Sequence, residues 1–164
     1  MDDVAPFVWT FPYVREYRNN SPDGFIQRPV VPLRFFGPDG SRSDQFEALI
    51  DSGAENILTP EWVASSLGLE LQGEETAIRI GGAVRSTRFS DVDIKVEGPN
   101  GDAVQWRASV GFMAWPDPPW MVILGQRGFF DQFTVCMSRL AQSAALHHRD
   151  HFDLTYGLRP GAES

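Results

Sequence analysis

Val104, Trp106, Ala108, Val110 and Phe112 occupy every second position of one uninterrupted stretch. A strand that buries one face produces that period of two, and a helix does not. Upstream, Val92, Ile94 and Val96 repeat the pattern, with Asp93 and Lys95 on the opposite face. Between the two runs lies Gly98-Pro99-Asn100-Gly101, a strong hairpin turn signal. Twelve Phe and five Trp in 164 residues, with frequent Gly and Pro, extend this to a mainly β chain of short strands with one or two short helices. One domain of this length closes a hydrophobic core without disulfide staples.

The remaining elements follow from local chemistry. Val31, Leu33 and Phe35 share a face, and Pro32 suits an edge or a strand start. Gly37-Pro38-Asp39-Gly40 turns the chain into a strand over Gln45–Ile50. Thr59 is the expected N-cap of a short helix, with Pro60 at its first position and Glu61 complementing its dipole. Gly68 suits a left-handed C-terminal cap, with Leu69 folding back. Ala77–Ile80 predicts a strand that reaches Gly81-Gly82. After the Pro-rich loop from Trp115 to Trp120, Met121–Leu124 predicts a short buried strand. A brief helix near Gln126–Asp131 and a strand through Phe133, Val135 and Met137 complete the core.

These elements divide the chain into a domain over residues 28–138 and two flanks. Residues 1–27 read as an extension that docks onto the domain. Phe7–Phe11 could add a strand there, and Asn19–Gly24 is a turn-forming run. Residues 139–164 form a weakly patterned C-terminal segment in which Phe152–Tyr156 predicts a final strand.

A formal charge of −8 disfavours nucleic-acid partners, because an acidic surface repels phosphate backbones. Cys136 is the single cysteine, so no intrachain disulfide marks an oxidising compartment. The start, MDDVAPFVWTF, has acids where a signal peptide needs basic residues, and no run of about 18 apolar residues occurs. The expectation is a cytoplasmic protein with no membrane partner.

Leu49-Ile50-Asp51-Ser52-Gly53-Ala54 carries the chemistry. Two apolar residues, then Asp, Ser, Gly and a small residue, resemble the catalytic loop of retropepsin-like aspartic proteases. The surroundings extend the resemblance. A buried strand precedes the loop and a short helix follows it. Ile80-Gly81-Gly82-Ala83-Val84 resembles the tip of the family's glycine-rich flap, and Arg88 to Val96 the returning strands. Ile123-Leu124-Gly125 resembles the family's late apolar-apolar-Gly motif. The ordered motifs run from about Arg28 to Met137, close to one retropepsin protomer and about two-thirds of the chain.

The resemblance implies a single-lobe, closed β-barrel acid-protease fold that acts as a homodimer. In the family two carboxylates share one proton: one acts as base toward a water while the other donates to the scissile carbonyl. This chain has one such loop, because Asp23 and Asp39 sit in Pro-Asp-Gly turns without an apolar approach. The second Asp51 would come from a twofold-related subunit, since an isologous interface brings a residue to itself.

By the same resemblance Ser52 braces the loops across the dimer, and Gly53 allows a tight turn toward the substrate water. Ala54, Ile80, Gly81, Gly82 and Ala83 would hold an extended polypeptide substrate. No cofactor is implied. His147, His148 and His151 beside Asp150 and Asp153 read as a solvated polar tail and not a metal site. Cys136, inside a strand pattern, reads as a buried, inert thiol. The rival function is a non-catalytic peptide-binding or dimeric scaffold module on the same fold, and a third reading is an unrelated β-barrel in which Asp51-Ser52-Gly53 is only a turn.

Overall fold

The computed structural model describes residues 8–149. It is built of β1 (Val8–Pro12), β2 (Val14–Tyr17), β3 (Phe25–Arg28), β4 (Val30–Phe36), β5 (Phe46–Ile50), β6 (Ile57–Pro60), α1 (Glu61–Ser66), β7 (Thr76–Ile80), β8 (Ala83–Glu97), β9 (Ala103–Met113), β10 (Val122–Leu124), β11 (Phe133–Ser138) and β12 (Ser143–His148). The predicted final strand at Phe152–Tyr156 lies outside the described residues. None of the described helices is long and apolar enough to cross a membrane.

Six strands close a barrel in the order β4-β5-β10-β6-β9-β8, with β8 returning to β4. Closure works because β4 changes partner midway. Val30–Leu33 pair with β5, and Leu33–Phe36 pair with β8. Pro32 falls in the half that pairs with β5, where a missing N–H is tolerated. The β8–β9 hairpin is the longest ladder, running from Thr87↔Met113 to Glu97↔Ala103 around the Gly98–Gly101 turn. Val92, Ile94, Val96, Val110 and Phe112 from it are buried, together with Leu33, Phe35, Ile50, Leu67, Leu124 and Phe129. The period of two thus becomes the barrel core.

The helix closes as expected at one end and differently at the other. Leu69 N–H donates to Ala64 O and Gly68 N–H to Ser65 O, with Gly68 at φ +66°, a Schellman cap. Thr59 is not the N-cap. It belongs to β6, where it pairs with Phe112, and its hydroxyl donates to Met121 O at 2.9 Å. Pro60 takes the cap position with no side-chain hydrogen bond. Nor is there a helix at Gln126–Asp131. Gly128 has φ +93°, and Gln126 and Arg127 give their N–H groups to Ala54 O and Glu55 O instead of to a helix ladder.

Outside the barrel, β1 pairs with β12 and β12 with β11, all antiparallel. The strand anticipated near Phe7–Phe11 therefore forms, against a C-terminal strand that the sequence pattern did not reveal. Trp9 and Phe11 are buried, and Trp9 packs at 6.1 Å from Phe133. Gly98 leaves room for the Trp9 indole, because a Cβ at Gly98 would collide with its ring. Cys136 is exposed, not buried, because β11 rises out of the core beyond Val135. His147 and His148 lie in β12, whereas His151 lies outside the described residues.

Trp9→Ala is expected to destabilise the protein by roughly 3–5 kcal/mol, as truncation of a buried aromatic does. Gly98→Ala should cost about 1–3 kcal/mol by overpacking against the same ring. Urea unfolding of each variant, and of the double variant, measures both. The double variant should cost less than the sum, because removing the indole makes room for the new methyl.

Candidate active site

Asp51 is fixed by two strands that run side by side. β5 and β10 are parallel, with Leu49 opposite Ile123 and Ile50 opposite Leu124. Each strand then leaves the barrel, and the two following loops cross. Asp51 N–H donates to Leu124 O at 3.0 Å. Gln126 N–H donates to Ala54 O at 2.9 Å and Arg127 N–H to Glu55 O at 2.8 Å. The Gln126 side-chain amide reaches Ser52 O at 2.7 Å, and Arg127 pairs with Glu55 at 2.9 Å. Gly125 sits at the crossing. A Cβ there would run into the Asn56 carbonyl and lie 2.7 Å from Ala54 O. Backbone cannot yield to it, so no other residue fits.

Inside the loop, Gly53 N–H donates to Asp51 Oδ1 at 2.9 Å and fixes the carboxylate. Gly53 does not have a positive φ. Its lack of a side chain matters through proximity, since a Cβ would stand 3.2 Å from Asp51 Oδ1. Asp51 is half-buried, while Ser52 and Gly53 are exposed at the surface of the single chain. The two other candidate aspartates are turn residues. Hydrogen bonding from Ser21 holds Asp23 below the ordinary carboxylate range, and Ser41 does the same for Asp39.

Over Asp51 stands the β7–β8 hairpin. Gly81 (φ +55°) and Gly82 (φ +81°) form its two-residue tip, the conformation that the right-handed strand twist favours. β8 carries the hairpin on a long stalk. Its fifteen residues span about 50 Å at ~3.3 Å each, first pairing with β7 and then, from Thr87, with β9. Ile78 and Ile80 pack on a small apolar cluster of Leu58, Met113, Trp115 and Ile123, separate from the barrel core.

Between hairpin and loop lies an open cavity of about 400 Å³. Asp51 lines it, as do Ile80, Gly81 and Ala83 from the hairpin and Ile123 from β10. Gly82, Ser52, Gly53, Ala54, Leu124 and Gly125 do not line it; the last five belong to the crossing loops or to the strand beneath. Sequence reading missed the other walls. Trp115, Pro119 and Trp120 come from the Pro-rich loop, and Arg18, Arg28 and Arg85 bring three guanidinium groups. Arg85 was legible, because it shares a strand face with Ala83 at period two. Arg18 was not, because it reaches the cavity from the β2–β3 hairpin of the N-terminal extension.

Among the described residues, no cluster of three His, Cys, Asp or Glu is placed to hold a metal.

A closed six-stranded barrel, an Asp loop locked by a glycine crossing and a glycine-tipped hairpin above it define the single-lobe acid-protease fold. The chain is similar to a retropepsin-like aspartic protease from Rickettsia conorii, at 14% identity and TM-score 0.44 over 87% of this chain and 94% of that one. It is similar to the retroviral protease-like domain of Ddi1 from Leishmania major, at 14% identity and TM-score 0.44 over 70% and 84%. It is also similar to the EIAV protease complexed with the inhibitor HBY-793, at 17% identity and TM-score 0.35 over 68% and 88%. No protein-family model matches the sequence, and neither does any curated protein.

Gly125→Ala is expected to lower stability by roughly 3 kcal/mol, because the new methyl meets backbone and not a movable side chain. Denaturant unfolding measures this, and a loss below about 0.5 kcal/mol would show that the crossing is looser than described.

Proposed function

We infer that the chain is one half of a homodimeric aspartic endopeptidase in which two Asp51 carboxylates hold the attacking water. The observation that carries this reading is Asp51 facing a peptide-sized cleft beneath a glycine-tipped hairpin. The chemistry is that of aspartic proteases, taken over by resemblance. Two adjacent carboxylates share one proton, so one is base toward water and the other is acid toward the scissile carbonyl. A single lobe has one carboxylate to offer, so the second belongs to a twofold mate. The exposure of Ser52 and Gly53 at the surface of the single chain supports this, because it leaves both available to a twofold mate. An extended substrate would lie under Ile80, Gly81 and Ala83 and bond to strand edges in the manner of β-augmentation.

Asp51→Asn is expected to lower peptide hydrolysis by about 10²–10⁴-fold or more while fold and dimer survive, because Asn matches Asp in shape but cannot take the proton. Cleavage of a mixed peptide library by both proteins across a pH series tests this, with sedimentation expected to give twice the 18.3 kDa chain mass. Equal cleavage by both proteins would assign the activity elsewhere. No cleavage by a clean wild-type dimer would favour the non-catalytic peptide-binding module.

Gly82→Val should slow turnover more than it lowers stability. A β-branched residue is strained at φ +81°, yet the position faces open space, so the damage is confined to the hairpin tip. Parallel kinetic and thermal measurements on this variant separate the two effects.

A further inference from the structure

We propose that the cleft beside Asp51 selects an acidic side chain, and that Arg85 is the residue that reads it. The observation is a local reversal of charge. The chain carries −8 overall, yet three of its fourteen basic side chains line this one cavity. Their pairing is unequal. Arg18 and Arg28 share Glu16, at 2.7 Å and 3.4 Å. Among the described residues Arg85 has no carboxylate partner, which sets it apart from the other two, and its Nε, like that of Arg18, is a buried donor without an acceptor. A half-buried guanidinium with an unsatisfied donor is costly, and a ligand carboxylate would supply both the missing charge and the missing acceptor. Trp115 and Trp120 in the same wall lower the local dielectric and leave planar surfaces for the aliphatic part of the incoming side chain. A Glu or Asp of a peptide fits this chemistry, and a basic residue is repelled by it.

The proposal deepens the proteolytic reading and rests on it in one respect, the position of the acid relative to a cleaved bond. In a twofold dimer the cavity occurs twice, so acids are favoured on both sides of that bond at matching distances.

The experiment has two arms, both with the full chain. In the binding arm, Asp51→Asn protein is mixed with apolar decapeptides that differ in one central residue, Glu, Gln or Lys, and the bound fraction is read by mass spectrometry. Glu peptides should be enriched over Gln by about tenfold, the scale of one charge-assisted hydrogen bond. On that background Arg85→Gln should abolish the preference, Arg85→Lys should keep most of it, and Arg85→Glu should turn it toward Lys. The reversal cannot come from misfolding. In the cleavage arm, wild-type protein cuts the same library and the acids flanking each cut are mapped.

Equal binding of Glu and Gln peptides, or a Glu preference that survives Arg85→Gln, would overturn the proposal. Cleavage that requires Asp51 but ignores acids would overturn it too and leave the protease reading standing. Selective binding of Glu peptides without cleavage by wild type would support the pocket and sink the protease reading.

Discussion

The placement of Asp51, on which the site is built, depends on the crossing of two loops at Gly125. β5 and β10 are hydrogen-bonded in parallel, so their ends emerge side by side and their loops must pass within van der Waals contact. The Asp51 N–H to Leu124 carbonyl bond and the reciprocal bonds from Gln126 and Arg127 hold that passage shut. A glycine is required because a carbonyl oxygen fills the space where a side chain would begin. The position of Asp51 is therefore set by backbone, with little freedom left to the side chain once Gly53 donates to it.

The barrel converts this local lock into a cleft. β8 leaves the barrel wall at Thr87 and continues outward with β7, so the hairpin over Asp51 is an extension of the core sheet. Ile78 and Ile80 of its β7 strand rest on the Leu58, Met113, Trp115 and Ile123 cluster, which is distinct from the main core. The N-terminal extension then completes the cavity by delivering Arg18 beside Arg28, so a segment outside the motif-bearing region shapes what the site can hold.

Much of this was legible in the sequence, and the gaps have physical causes. The alternation through Val92–Val96 and Val104–Phe112 gave β8 and β9, since half-buried strands leave a period of two. β6 escaped because Ile57–Pro60 is buried on both faces and leaves no alternation. β12 escaped because Ser143–His148 carries small and polar residues with weak amphipathic contrast. Thr59 was misassigned as a cap because a Thr-Pro-Glu run serves equally well at a strand end whose hydroxyl bonds elsewhere. The Asp51 loop stood out because its chemistry is local. The arginine lining did not, because long-range docking of the β2–β3 hairpin leaves no periodic trace.

The central claim is that Asp51 meets its own copy across a twofold axis. A crystal structure of the chain with a substrate-like peptide inhibitor tests it most directly. The account predicts two chains around one inhibitor, with the Asp51 carboxylates within about 3 Å of each other beneath two glycine-tipped hairpins. A single chain closing on the inhibitor, or a dimer that holds its Asp51 carboxylates more than about 10 Å apart, beyond any shared proton, would contradict it.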